Sequence, residues 1–132
     1  MISKKNLKNL SFLIYGLGLT GKSVVNFFTK NNIQNFKVWD DHNKDLYKNN
    51  RASNLLKTLH SVDYIILSPG VSLAKSKNKN NLIKFKKKII TDLDLFFLVK
   101  KFSKSIVITG TNGKSTTCKI ISHVLKKNNF QP

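Results

Sequence analysis

Short apolar runs alternate along the chain with longer stretches of helical periodicity, and no other feature narrows the possible folds as far. Ser11–Tyr15 ("SFLIY"), Phe36–Asp40 ("FKVWD"), Val62–Ser68 ("VDYIILS"), Lys88–Thr91 and Ser105–Gly110 read as strands. Runs of this kind, apolar on both faces, belong to strands covered on both sides. Between them, Gly21–Asn31 carries Val24, Val25, Phe27 and Phe28 at helical spacing, and Arg51–His60 sets Leu55, Leu56 and Leu59 on one face. Lys75–Lys88 reads as a solvated helix with Leu82, Ile83 and Phe85 turned inward. Asp92–Lys101 has its acids first and its lysines last, as a helix dipole favours, and Lys114–Lys127 is a final helix. The alternation predicts an α/β fold, a Rossmann-like parallel sheet with helices on both faces. A new strand and a new glycine loop follow Asp92–Lys104, which divides the chain into a first domain, 1–91, and a linking helix with the start of a second, 92–132.

A chain of 132 residues buries roughly two-thirds of its unfolded surface, enough for a real core. The formal charge of +18 invites a nucleic-acid partner, but 23 of the 24 basic residues are lysine and only Arg51 offers an arginine fork. Sixteen asparagines, no glutamate and lysines spread over the whole length describe a compositional bias rather than a binding patch. Nucleic-acid and membrane partners are therefore not expected. The single cysteine, Cys118, excludes an internal disulfide and fits a reducing, cytoplasmic setting; its place on the last helix predicts packing rather than chemistry. Lysines precede an apolar run at the start, as in a signal peptide, but Gly16 and Gly18 interrupt that run. No run approaches the roughly 20 apolar residues of a membrane span.

Three motifs carry chemistry. Gly16-Leu17-Gly18-Leu19-Thr20-Gly21 follows the first strand and opens a helix, and Asp40 lies 19 residues past Gly21 at the end of the second strand. That is the spacing of a dinucleotide fingerprint, in which glycines let backbone amides meet a pyrophosphate and the acid meets a ribose hydroxyl. A glycine turn that only packs a helix on a strand is the plainer alternative. Ser68-Pro69-Gly70-Val71 closes the third strand, where ligands of open α/β sheets bind, although alone it is a turn. Ile108-Thr109-Gly110-Thr111-Asn112-Gly113-Lys114-Ser115-Thr116-Thr117 has all of a phosphate loop except its leading glycine, whose position is Ile108. Here Lys114 and the loop amides would hold β- and γ-phosphates, and the Ser115 hydroxyl would take Mg²⁺. His60 and His123 read as surface or packing residues, and His42, beside Asp40 and Asp41, is within reach of a nucleobase.

In this order the segments "GLGLTGKSV", an acid ending the second strand, "SPGV", "TDLDLFF" and "ITGTNGKSTT" resemble the amino-terminal part of the Mur ligase family over the whole chain. The phosphate loop without its first glycine is that family's own form. The resemblance is to the branch that adds D-glutamate to UDP-N-acetylmuramoyl-L-alanine, and a sister ligase using another amino acid is its nearest alternative. It implies a first domain binding the UDP moiety, with Gly18, Leu19 and Thr20 at the diphosphate and uridine, Asp40 at the uracil end, and Ser68, Pro69 and Gly70 in the same pocket. His42 and Lys44 are the basic candidates beside the uracil, and Asp94 stands where relatives commonly carry glutamate. It further implies an ATP- and Mg²⁺-binding region opening at Gly110, Thr111, Asn112, Gly113, Lys114, Ser115 and Thr116, with Lys114 catalytic and Ser115 on the metal. The protein is expected to be monomeric. The family's metal-binding glutamate, carboxylated lysine and D-glutamate-binding domain are expected beyond Pro132, so this chain reads as an amino-terminal fragment. A non-enzymatic NAD-binding module is the competing reading of Gly16–Gly21 and Asp40.

Overall fold

Alternate residues of one central strand face opposite sides of the sheet, and both sides are dry. In a computed structural model, which describes residues 7–43, 45–72, 76–99 and 105–131, strand β1 (Phe12–Tyr15) is buried throughout. It is flanked by β2 (Phe36–Trp39) and β3 (Tyr64–Leu67), and β3 pairs with the short β4 (Ile89–Ile90). All pairs are parallel and the order is β2-β1-β3-β4, with Phe12 opposite Phe36 on one side and Tyr64 on the other. An isolated bridge from Val38 to Arg51 extends the β2 edge.

Phe12 and Ile14 face a cluster with Phe36, Val38 and Ile66, covered by helix α1 (Leu19–Lys30) through Val24, Val25 and Phe28. Phe28 meets Phe12 and Phe36 at ring-centroid distances of 4.9 and 5.4 Å, within the range of favourable tilted and edge contacts. Leu13, Tyr15 and Ile65 face the other cluster, covered by α2 (Leu55–Ser61) through Leu55 and Leu59 and by α3 (Lys79–Lys84) through Leu82. The expected Rossmann-like sheet with helices on both faces is present. Asn54 caps α2, accepting from the Lys57 amide at 3.0 Å. At the other end of α2, the Lys88 ammonium donates to the carbonyls of Leu59, His60 and Val62.

Helix α4 (Asp92–Val99) sends Leu95 into the α1-side cluster. Thr91 and Asp94 form a reciprocal cap at its start: the Thr91 amide and hydroxyl donate to the Asp94 carboxylate, and the Asp94 amide donates to the Thr91 hydroxyl. Those bonds hold the Asp94 carboxyl below its ordinary value, so the shorter acid still closes a capping box here.

Several expectations need correction. α2 begins at Leu55, not Arg51, and Leu56 points to solvent. The helix expected over Lys75–Lys88 is the six-residue α3 followed by a 3-10 turn at Lys86–Lys88, and Ile83 is exposed rather than inward; Lys75 lies outside the described residues. Residues 105–110 are not a strand. A strand exists only by pairing, and these residues lack the ladder that β1 has on both sides.

The chain divides into two units, Met1–Phe102 and Ser103–Pro132. Among its described residues, the second has a stretch without regular structure, a glycine loop and helix α5 (Lys114–Lys127), which has no buried residue. Ile106, Val107, Ile120, Val124 and Phe130 are all exposed in it, as is Cys118, contrary to the expectation of packing. Among the described residues no helix is long and apolar enough to cross a membrane.

Candidate functional site

β2 and β3 lie on opposite sides of β1, so the loops leaving their carboxyl ends part there, the place where open α/β sheets hold ligands. The β1 loop turns at Gly16, whose φ of +94° is a left-handed conformation suited to glycine. A Cβ on Gly16 would sit 2.5 Å from Val71, and one on Gly21 would sit 1.9 Å from the Gly16 carbonyl oxygen. Those two glycines are thus required by the fold. Gly18 caps α1 with ordinary angles and open space around it, and Gly70 is equally open. The first turn of α1 has neither an acid nor a side-chain cap.

Asp40 is 8% exposed, and its carboxylate ties two loops together. One oxygen accepts the Leu17 amide at 2.6 Å, and the other accepts the His42 and Asn43 amides at 2.8 Å each. Burial pushes its carboxyl up, but those three amide donors outweigh burial and hold it below the ordinary value. Ser68 is buried likewise, its hydroxyl donating to the Gly16 carbonyl at 2.8 Å. Arg51 clamps the β2 loop from outside, donating to the carbonyls of Asn43 and Asp40 with its guanidinium 5.0 Å from the Trp39 ring centroid.

The resulting cleft has a volume of about 290 Å³ and is lined by Gly16, Asp40 and Gly70 together with Tyr15, Asp41, His42 and Lys77. Thr20 lines a separate apolar groove against α4, while Leu19 is 90% exposed at the helix start. Lys44 lies outside the described residues. Sequence reasoning missed Asp41, on which four side-chain donors converge: the Tyr15 hydroxyl at 2.9 Å, the Trp39 indole at 3.0 Å, Asn78 at 3.0 Å and Ser76 at 3.2 Å. Burial pushes the Tyr15 hydroxyl up. The acid doublet Asp40-Asp41 was visible in the sequence; its distant partners come from two segments, Tyr15–Leu17 and Ser76–Asn78.

In the second unit, Gly110 and Gly113 have φ of +144° and +76°, and the loop folds so that the Lys114 ammonium donates to the Gly110 and Thr111 carbonyls. Ser115 and Thr116 present exposed hydroxyls on the first turn of α5, which carries no acid. These donors suit a phosphate group and a hard cation bound through it. Among the described residues no cluster of three His, Cys, Asp or Glu forms a metal site of its own.

Residues 10–90 match the family described as Mur ligase MurD-like, N-terminal domain. The chain is 41% identical over 126 residues to UDP-N-acetylmuramoylalanine--D-glutamate ligase of Rickettsia prowazekii (strain Madrid E), covering 87% of this chain and 27% of that protein. Its likeness to the ligase of the same name from Wolbachia pipientis wMel is 33% over 127 residues, with 90% and 25% covered. For that of Francisella tularensis subsp. tularensis (strain WY96-3418) it is 39% over 121 residues, with 90% and 27% covered. The chain thus spans about a quarter of the length of these curated relatives. With a matching family over most of its sheet, and a parallel fold whose glycine and serine loops meet at one cleft, the chain belongs to the Mur ligase family as a MurD-like amino-terminal domain.

Proposed function

We propose that this chain supplies the UDP-binding part of an ATP-dependent ligase that adds D-glutamate to UDP-N-acetylmuramoyl-L-alanine in peptidoglycan synthesis. The reading gives residues 1–91 the UDP moiety and makes 92–132 the linking helix and the opening of an ATP-binding part. The observation that carries it is the pair Gly18 and Gly70. Neither has a positive φ, and neither has an atom within 4 Å of where a Cβ would stand, so the fold itself does not require them. Their bareness leaves backbone open at the carboxyl end of the sheet, where a diphosphate can approach the uncapped first turn of α1. Leu19 and Thr20 would flank the diphosphate and uridine, with Ser68, Pro69 and Gly70 forming the opposite wall. Asp40 would act at the uracil end by fixing the amides of His42 and Asn43. A NAD reading asks that carboxylate to take a ribose hydroxyl, and its commitment to three amides argues against it.

In the second unit, the amides of Gly110, Thr111, Asn112, Gly113 and Thr116 would cradle the phosphates of ATP, and the Ser115 hydroxyl would hold Mg²⁺. ATP supplies the phosphoryl group that activates the alanyl carboxylate for attack by the amine, and the products are amide, ADP and phosphate. Lys114 would keep positive charge beside the transferred group, exchanging its present carbonyl partners for phosphate oxygens. The reading also makes the protein cytoplasmic and monomeric. Calorimetric titration of the chain with UDP-N-acetylmuramoyl-L-alanine and with NAD tests it: the uridine ligand is expected to bind more tightly, and tighter NAD binding overturns the reading.

A further inference from the structure

The cleft contains two carboxylates, a poor start for receiving a diphosphate. Both are enclosed by donors: Asp40 by three backbone amides, and Asp41 by the hydroxyls of Tyr15 and Ser76, the Trp39 indole and the Asn78 amide. Oriented donors at 2.6 to 3.2 Å offset much of the field that a bare carboxylate would present. The lysine that lines the same cleft is Lys77. It is exposed, and among the described residues no carboxylate stands within ion-pair distance of it.

Lys77 lies between two residues that Asp41 holds. Ser76 donates to one Asp41 oxygen and Asn78 to the other, and the Asn78 side chain also donates to the Tyr15 hydroxyl at 3.0 Å. The Asn78 amide in turn donates to the Ser76 hydroxyl at 3.1 Å, closing a tight turn around Lys77. The anchor is rigid, because Tyr15 is 1% exposed in the sheet core and Trp39 ends β2 under the Arg51 guanidinium. A side chain on a segment fixed at both ends loses less freedom on meeting a ligand than one on a free loop.

From this juxtaposition we infer that Asp41 is a positioning residue, which fastens the Ser76–Asn78 turn to the ends of β1 and β2 so that Lys77 meets the diphosphate of the bound nucleotide. The inference rests on the nucleoside-diphosphate reading of the cleft and adds to it a cation and the device that aims it. Asp41 itself touches no ligand in this scheme; its effect on binding passes through Lys77.

UDP and uridine, titrated separately into the full chain by calorimetry, test this. Lys77→Gln is expected to weaken UDP roughly tenfold, the loss of a charge-assisted contact, and to leave uridine unchanged. The UDP affinity of Lys77→Gln should also fall less with added salt than that of the unaltered protein. Asp41→Asn should weaken UDP to a similar degree, and the double variant should bind no more weakly than Lys77→Gln alone. If Asp41→Asn does not fold, Ser76→Ala takes its place in the same cycle. Fully additive losses overturn the positioning role, and an equal loss for UDP and uridine in Lys77→Gln overturns the diphosphate contact. Unaltered protein that binds neither compound refutes the reading of the cleft as a uridine nucleotide site, whereas UDP binding untouched by Lys77→Gln refutes only the inference made here.

Discussion

Asp40 stands at the expected acidic position of a nucleotide fingerprint, yet its geometry is that of a clasp, and replacing it separates the two roles. In Asp40→Asn one carboxylate oxygen becomes an NH₂ group. If the remaining oxygen keeps the His42 and Asn43 amides, the new NH₂ faces the Leu17 amide, donor against donor. Leu17 is 1% exposed, so its amide cannot turn to water instead. A buried donor that loses a charged partner costs about 1.5–3 kcal/mol. The opposite rotamer strands the other two amides, but His42 and Asn43 are exposed and water replaces part of the loss. The expected destabilisation at neutral pH is therefore about 2 kcal/mol. For a folded unit of roughly 100 residues that corresponds to a fall in Tm of about 8–16 °C.

The sign with pH follows from the lowered carboxyl. Its stabilising contribution is complete above the ordinary value of 3.8 and is lost as pH falls through the lower, folded-state value. Below about pH 4, urea unfolding of the unaltered protein should lose stability with decreasing pH at up to about 1.4 kcal/mol per unit from this one group. Asp40→Asn should lack that part of the slope, keeping only what exposed acids such as Asp63 and Asp94 contribute. A variant as stable as the unaltered chain, with an unchanged acid slope but greatly weakened UDP binding, would show that Asp40 reads the ligand and that its amide bonds are incidental.

Three further outcomes are expected. Gly21→Ala should cost about 3 kcal/mol or more by urea unfolding, since its Cβ meets the Gly16 carbonyl oxygen at 1.9 Å, even though alanine is the better helix former by up to about 1 kcal/mol. Gly18→Ala should leave stability within about 0.5 kcal/mol and weaken UDP, and the reverse pattern would contradict the assignment of these glycines. In native-state hydrogen exchange, the amides of Phe12–Tyr15 and Ile65–Leu67 should be strongly protected and those of Ile106–Ile108 weakly so; equal protection would mean that the latter stretch is paired.

β1 and β3 were legible because burial on both faces makes each an apolar run, whereas β2 alternates, with Lys37 exposed between buried Phe36 and Val38. Helix facing was less so. Leu56 and Ile83 satisfy an inward spacing on paper, but α2 and α3 are only 7 and 6 residues long, and so short a helix buries one or two side chains. The glycine loops and Asp40 could be found by spacing, since spacing is local. What the Asp40 and Ser68 side chains reach across the sheet could not, because Leu17 and Gly16 come alongside them only when β1, β2 and β3 align; the His42 and Asn43 amides that Asp40 also holds are local. Asp41 is the plainest example: Tyr15, Ser76 and Asn78 are 26, 35 and 37 residues away from it.

The same distinction explains why the second unit has a shaped glycine loop beside a stretch that is no strand. The loop draws on neighbours in sequence: Gly113 supplies a left-handed turn, the Thr117 amide and hydroxyl return to the Gly113 carbonyl, and Lys114 reaches carbonyls three and four residues back. A cation folded onto those carbonyls offsets the mutual repulsion of oxygens crowded into a tight turn, and α5 propagates from its first turn by local bonds alone. Ile106, Val107 and Ile108 have no local route to satisfaction. Their backbone needs a ladder and their side chains a covered face, and both are tertiary. With Ile106 61% and Val107 83% exposed, the apolar run that marked this segment as a strand has no ladder among the described residues, while the loop beside it takes its shape from local bonds.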